Sequence, residues 1–157
     1  MEEKQQIIKP IKIRLAAMDL LTGREYLRSE LAQKLAQKFD NSPLIGEVLE
    51  QLISDGLQSD KRFVQAFVRS RIMRGQGEVR IRMELYRRGA DKALADRAVA
   101  NFDVDWFELA RTVALNKFGA NSPADSREKA KRIRFLQYRG FSYDQINHAL
   151  SQHIAEE

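Results

Sequence analysis

Guanidinium groups are the chemistry this chain concentrates. The segment 61–90, KRFVQAFVRSRIMRGQGEVRIRMELYRRGA, holds nine Lys and Arg against two acids, Glu78 and Glu84, and all nine but one are Arg. A planar guanidinium can donate two parallel hydrogen bonds to a carboxylate or a phosphate, where an ammonium acts as a point charge. Arg62, Arg69, Arg71, Arg74, Arg80, Arg87 and Arg88 are therefore candidates for docking on an acidic partner. A second basic run, Lys129, Lys131, Arg132, Arg134 and Arg139, sits further along and extends the stripe. The net charge is −2 over 1–60, +7 over 61–90, −1 over 91–120 and +1 over 121–157, which sums to +5. A local field of that strength steers polyanions and acidic surfaces. The competing arrangement is a solvated ladder: Glu84 lies four residues after Arg80 and three before Arg87, a spacing worth a few tenths of a kcal/mol per exposed pair. Two carboxylates cannot neutralise nine cations, which favours an interaction surface. Arg71 and Arg74 fall at the edge of an apolar face, where pairing with acids of a neighbouring unit competes with docking.

Catalytic constellations are missing. The two histidines, His148 and His153, are five residues apart, not the four that would point both rings at one metal. The absence of cysteine removes thiolate nucleophiles, disulfides and Cys-containing zinc sites, and fits a reducing compartment. Gly75-Gln76-Gly77 follows a helix-like segment and no Gly-Lys-Ser or Gly-Lys-Thr occurs, so it reads as a helix–helix turn and not a phosphate loop. The acidic pairs Glu2/Glu3 and Glu156/Glu157 sit near the ends and read as inert. No cofactor, metal or catalytic residue is expected. No apolar run approaches the roughly 20 residues of a membrane span, and the start lacks signal-peptide order, so a cytoplasmic protein without membrane contact is expected.

The elements that position these residues read as helices throughout. Strand-type alternation is missing, and 43% hydrophobic content argues for a folded core. Glycines at 23, 56, 75, 89, 119 and 140 each follow a helix-like segment, where a left-handed residue closes the last turn. Starts are marked by Ser42–Pro43, by Asp60 and Asp91, and by Asp105 with Glu108 at capping-box spacing. The pattern predicts helices near 10–21, 27–39, 43–55, 60–74, 78–88, 91–102, 105–118, 127–139 and 142–154. Internal similarity groups them in threes. Residues 60–75 overlie 104–119 at a shift of 44, pairing Phe63/Phe107, Ala66/Ala110 and Gly75/Gly119, while 83–90 overlies 134–141 at a shift of 51. The segment 121–127, NSPADSR, has turn composition and holds the difference. The expected architecture is all-α, three tandem three-helix repeats at 1–58, 59–103 and 104–157 forming an elongated, curved array. Units of about 50 residues bury too little core alone and must lean on one another.

On the helical wheel, Phe63, Ala66, Phe67 and Ser70 share a face that reads as core. In the next helix Ile81 and Leu85 form one apolar seam, Val79, Met83 and Tyr86 a second, and Arg80 and Arg87 project away together. Trp106, Tyr86, Tyr138 and Phe141 could stack on bases, but their apolar spacing favours core packing.

The residues resemble the RecX family, regulators of the RecA recombinase, over about 15–150. The likeness rests on REYLRSELAQKL at 24–35, on 60–90 with DWFELARTVALNKFG at 105–119, and on KAKRIRFLQYRGF at 129–141. Leu27 stands where the family pattern has Ser, which costs the second helix a cap, and Glu78 where Pro is usual. The resemblance implies an all-α fold of three-helix repeats, no catalysis, and inhibition of RecA filament activities by direct contact. The seven central arginines would then make charge-assisted contacts to acidic groups on the filament or to DNA phosphates. A monomer is expected, with single- or double-stranded DNA as a further partner. The rival is an autonomous DNA-binding module or repressor, but neither a base-reading helix nor a dimer seam stands out.

Overall fold

The computed structural model describes residues 9–151, and among them the ordered elements are all helices: α1 Pro10–Gly23, α2 Arg28–Lys38, α3 Ile45–Ser54, α4 Asp60–Met73, α5 Glu78–Arg87, α6 Lys92–Asn101, α7 Trp106–Phe118, α8 Ser126–Tyr138 and α9 Tyr143–Ser151. No helix among them is long and apolar enough to cross a membrane. The chain divides into two compact units after Ala66.

In the first unit α1, α2 and α3 pack on one another. Their core joins Ile13, Ala17, Leu31, Leu35, Val48, Leu49 and Leu52. Buried residues at 45, 48, 49 and 52 trace the i, i+3, i+4, i+7 stripe that makes α3 amphipathic. Leu27, in the cap position of α2, supplies no side-chain bond. The deficit is met from a distance, because the Asp60 carboxylate accepts from the Arg28 N–H at 2.8 Å and from Gln58 Nε2 at 2.8 Å. Asp60 is thus the first residue of α4 and caps α2. The cap of α4 is Ser59, whose Oγ accepts from the Arg62 N–H at 3.2 Å. The start expected at Ser42–Pro43 also moves. Asp40 and Asn41 take left-handed φ of 52° and 55°, which their short polar side chains tolerate. Ser42 Oγ then accepts from the Leu44 N–H at 3.3 Å in a turn, and α3 begins at Ile45. Gly23 does not turn left-handed, since α1 runs through it and leaves by an extended Arg24.

In the second unit α7, α8 and α9 pack on one another and α5 packs on α6. Ala110, Ala114 and Ala149 are buried with Leu136, Phe141 and Ile146. Small side chains at the α7–α9 contact let the two helices lie close. Asp91 caps α6 through the Leu94 N–H, and Asp105 accepts from the N–H groups of Phe107 and Glu108. Repetition shows in the backbone: Gly75 and Gly119 have φ of 77° and 76°, and Gly89 and Gly140 have 89° and 96°.

Two helix faces differ from the wheel reading. In α4 the buried residues are Phe63, Val64, Phe67, Val68 and Ile72, while Ala66 and Ser70 are exposed. Two i, i+4 pairs, Phe63/Phe67 and Val64/Val68, are larger than Ala66 and Ser70 and draw the buried face toward themselves. In α5 only the Ile81/Leu85 seam is buried, and Val79 and Met83 remain 47% and 46% exposed.

The turn before α5 is joined to the turn after α8. The Gly77 N–H donates to the Arg139 carbonyl at 2.7 Å and the Val79 N–H to the Gly140 carbonyl at 3.0 Å. A Cβ on Gly77 would lie 2.4 Å from the Gly140 carbonyl, and one on Gly140 would lie 2.2 Å from Arg80 Cβ. Only glycine permits backbones this close. Glu78 adds a further tie by accepting from Gln145 Nε2 at 3.0 Å.

Candidate docking surface

The central arginines separate into a bound set and an outward set. Arg62 Nε lies 3.0 Å from Glu25 Oε1, and its Nη1 donates to the Gly56 carbonyl at 2.6 Å. Glu84 is shared: Arg80 Nε approaches it at 2.9 Å and Arg71 Nη1 at 3.2 Å, with Glu84 only 20% exposed. Arg71 also lies over the Phe67 ring at 4.6 Å. Arg80 donates to the Tyr138 carbonyl at 3.3 Å and covers the Tyr138 ring at 4.9 Å. The hydrogen bond to Glu84 raises the Arg80 pKa above its ordinary value, so its charge is fixed. Arg82 reaches Glu78 at 3.5 Å and Asp96 at 3.6 Å.

Arg69, Arg74 and Arg87 are exposed, and no carboxylate among the described residues pairs with any of them. Arg88 caps the end of α5 and lies 5.4 Å over Phe67. The joint projection of Arg80 and Arg87 therefore fails. Glu84 keeps the i, i+4 bond to Arg80 and takes Arg71 on α4 in place of Arg87, so the ladder along α5 forms on one side only.

The second basic run separates in the same way. Arg132 is 5% exposed. Its Nη1 donates to the Asn121 carbonyl at 2.9 Å, its Nε approaches Glu128 at 3.4 Å, and its guanidinium lies over Phe118 at 5.2 Å. It pins the loop before α8 to the helix. Arg139 Nη1 donates to the Arg74 carbonyl at 2.8 Å and lies over Phe135 at 5.1 Å, so it serves the joint between turns. Lys129, Lys131 and Arg134 remain exposed.

Among the aromatics, Phe141 is buried, Trp106 and Tyr86 are half-buried, and Tyr138 is 73% exposed against the expectation of core packing. Tyr138 is the i+3 neighbour of Phe135, but the ring is held on the surface by Arg80. The Tyr86 hydroxyl donates to Asp96, which raises its pKa. Nothing in the sequence pattern marks Met73, 82% exposed beside Arg74, or Lys117, whose Nζ lies 5.4 Å over Phe135.

His148 Nε2 stands 3.4 Å from Glu108 and its ring meets Phe107 edge-on at 5.5 Å. Glu108 is held below the usual carboxylate range, first by its bond with Arg111 at 3.1 Å and then by His148. Among the described residues no group of three or more His, Cys, Asp or Glu could hold a metal ion. His153 and the acidic pairs at both ends lie outside the described residues.

Comparisons with known proteins bear on the family and the fold. The family models for the second and third RecX three-helix domains match residues 59–99 and 103–150. The chain is 46% identical over 137 residues to the regulatory protein RecX of Halorhodospira halophila, covering 87% of this chain and 85% of that one. It is 43% identical over 142 residues to the Pseudomonas putida regulatory protein RecX, covering 90% and 91%. The crystal structure of RecX from Lactobacillus salivarius superposes with a TM-score of 0.78 at 26% identity, covering 93% of this chain and 97% of that one. The chain belongs to the RecX family of regulatory proteins.

Proposed function

We propose that this chain is a non-enzymatic, cytoplasmic regulator that binds the RecA recombinase filament on DNA and inhibits its recombinase, ATPase and co-protease activities, so modulating DNA repair and the SOS response. The observation that carries the reading is the outward set: Arg69, Arg74 and Arg87 stand exposed without a carboxylate partner among the described residues, in a chain of the RecX family. Guanidiniums left without an internal acid are available for bidentate contacts to acidic groups on a partner. Arg88, Lys129, Lys131 and Arg134 are further exposed cations, while Arg62, Arg71, Arg80, Arg132 and Arg139 make contacts within the fold. Repeats at 1–58, 59–103 and 104–157 and a monomeric state complete the proposal.

The test is the single-strand-dependent ATPase of a RecA filament titrated with this protein. A progressive fall in turnover supports the reading, and unchanged turnover at saturating protein defeats it. The rival, an autonomous DNA-binding module, predicts something else. A protein neutralising about six phosphates loses roughly a thousandfold in affinity between 50 and 200 mM salt. Sequence preference that survives such a titration on naked duplex would favour the rival.

A further inference from the structure

A groove of about 320 Å³ opens between residues 72–75 and helices α7 and α8. Its floor is apolar, formed by Ile72, Leu109, Val113 and Phe135, and its rim carries three cations, Arg74, Lys117 and Arg139. The remaining lining is Thr112, Asn116, Gly75 and Met73, with no Asp or Glu. Two of the cations are placed and not merely near. Arg139 is fixed by the Arg74 carbonyl at 2.8 Å, and the Arg139 and Lys117 charges stand over the Phe135 ring at 5.1 and 5.4 Å. Met73, at the lip, is 82% exposed, an unbranched, polarisable side chain suited to adapting around an incoming group.

We propose that this groove takes an acidic peptide segment bearing one bulky apolar side chain. The apolar side chain would cover the floor and release its water, while flanking carboxylates would reach the rim. Charge complementarity selects this occupant. A nucleic-acid backbone would meet the cations but leave the apolar floor bare, and a neutral apolar peptide would cover the floor but leave three cations facing it without counter-charge. The inference deepens the regulatory reading, on which it rests, by naming the kind of segment the regulated partner presents.

The experiment uses the full chain and no recombinase, so its outcome is separable from the ATPase test. A short labelled peptide with one central Phe flanked on both sides by Asp and Glu is titrated with the protein and followed by fluorescence anisotropy. Binding should weaken by about tenfold or more when the acids become Asn and Gln, when Phe becomes Ser, and when the protein carries Lys117→Glu or Met73→Asp. Met73→Asp alters an exposed side chain, so it stays informative if Lys117→Glu disturbs folding. Absence of binding, indifference to the Phe→Ser change, indifference to both protein variants, or stronger competition by oligo(dT) of equal charge would each overturn the proposal.

Discussion

Glu84 governs how the central arginines are used. It takes both Arg71 and Arg80 within 3.2 Å while only 20% exposed, so removing its charge leaves two half-buried guanidiniums without their acid. Glu84→Gln is expected to destabilise the fold by about 1–2 kcal/mol, read from urea unfolding midpoints. Glu25→Gln should cost less than about 1 kcal/mol, because Arg62 and Glu25 are 45% and 34% exposed and screened by water. Glu108 gives a pH signature. Its folded pKa is depressed by Arg111 and His148, so its contribution is fully present above the unfolded carboxylate value of about 4.3 and is lost as pH falls through the folded value. Glu108→Gln should therefore lower Tm near neutral pH, with the gap from the parent protein closing on acidification below about pH 4; a gap that persists unchanged at low pH would contradict the assignment. The arginine sorting was not legible in the sequence. Glu25 is 37 residues from Arg62, and the carbonyl that holds Arg139 is 65 residues away. Charge counting found the excess of cations, but only three-dimensional partners decide which are spent internally.

At the scale of the element, helix positions were legible because apolar period, caps and glycines are local signals. Starts at Lys92 and Trp106 follow their Asp caps as the spacing implied. Failures came where a distant group intervened: Asp60 leaves its own helix to cap α2, and bulky neighbours shift the buried face of α4 off Ala66 and Ser70. The Gly77–Gly140 joint was invisible for the same reason, since its closeness belongs to two turns far apart in the chain. It is also the place where a single methyl group should do most harm. Gly140→Ala combines a left-handed φ of 96° with a 2.2 Å approach to Arg80 Cβ. A loss of about 3 kcal/mol or more is expected in thermal melts. Gly46→Ala is the contrasting change. It lies inside α3 with nothing within 4 Å of the added carbon, and should stabilise by about 0.5–1 kcal/mol.

Among the described residues, Glu25, Glu78 and Glu84 each hold an arginine, while Arg69, Arg74 and Arg87 stand exposed. The repeat pattern at shifts of 44 and 51 was readable because glycines recur at matched positions, and each matched pair takes a similar left-handed φ, 77° with 76° and 89° with 96°. Composition alone could not reveal the groove beside Phe135, whose walls come from three separate segments. The central claim is that Arg69 and Arg87 face a partner, whereas Arg80 serves the fold. It is tested most directly by the RecA single-strand-dependent ATPase titrated with Arg69→Glu/Arg87→Glu, with circular dichroism confirming helical content. The account predicts an unchanged fold and inhibition weakened by about tenfold or more in midpoint concentration. Inhibition equal to that of the parent protein, from a variant that remains folded, would contradict it.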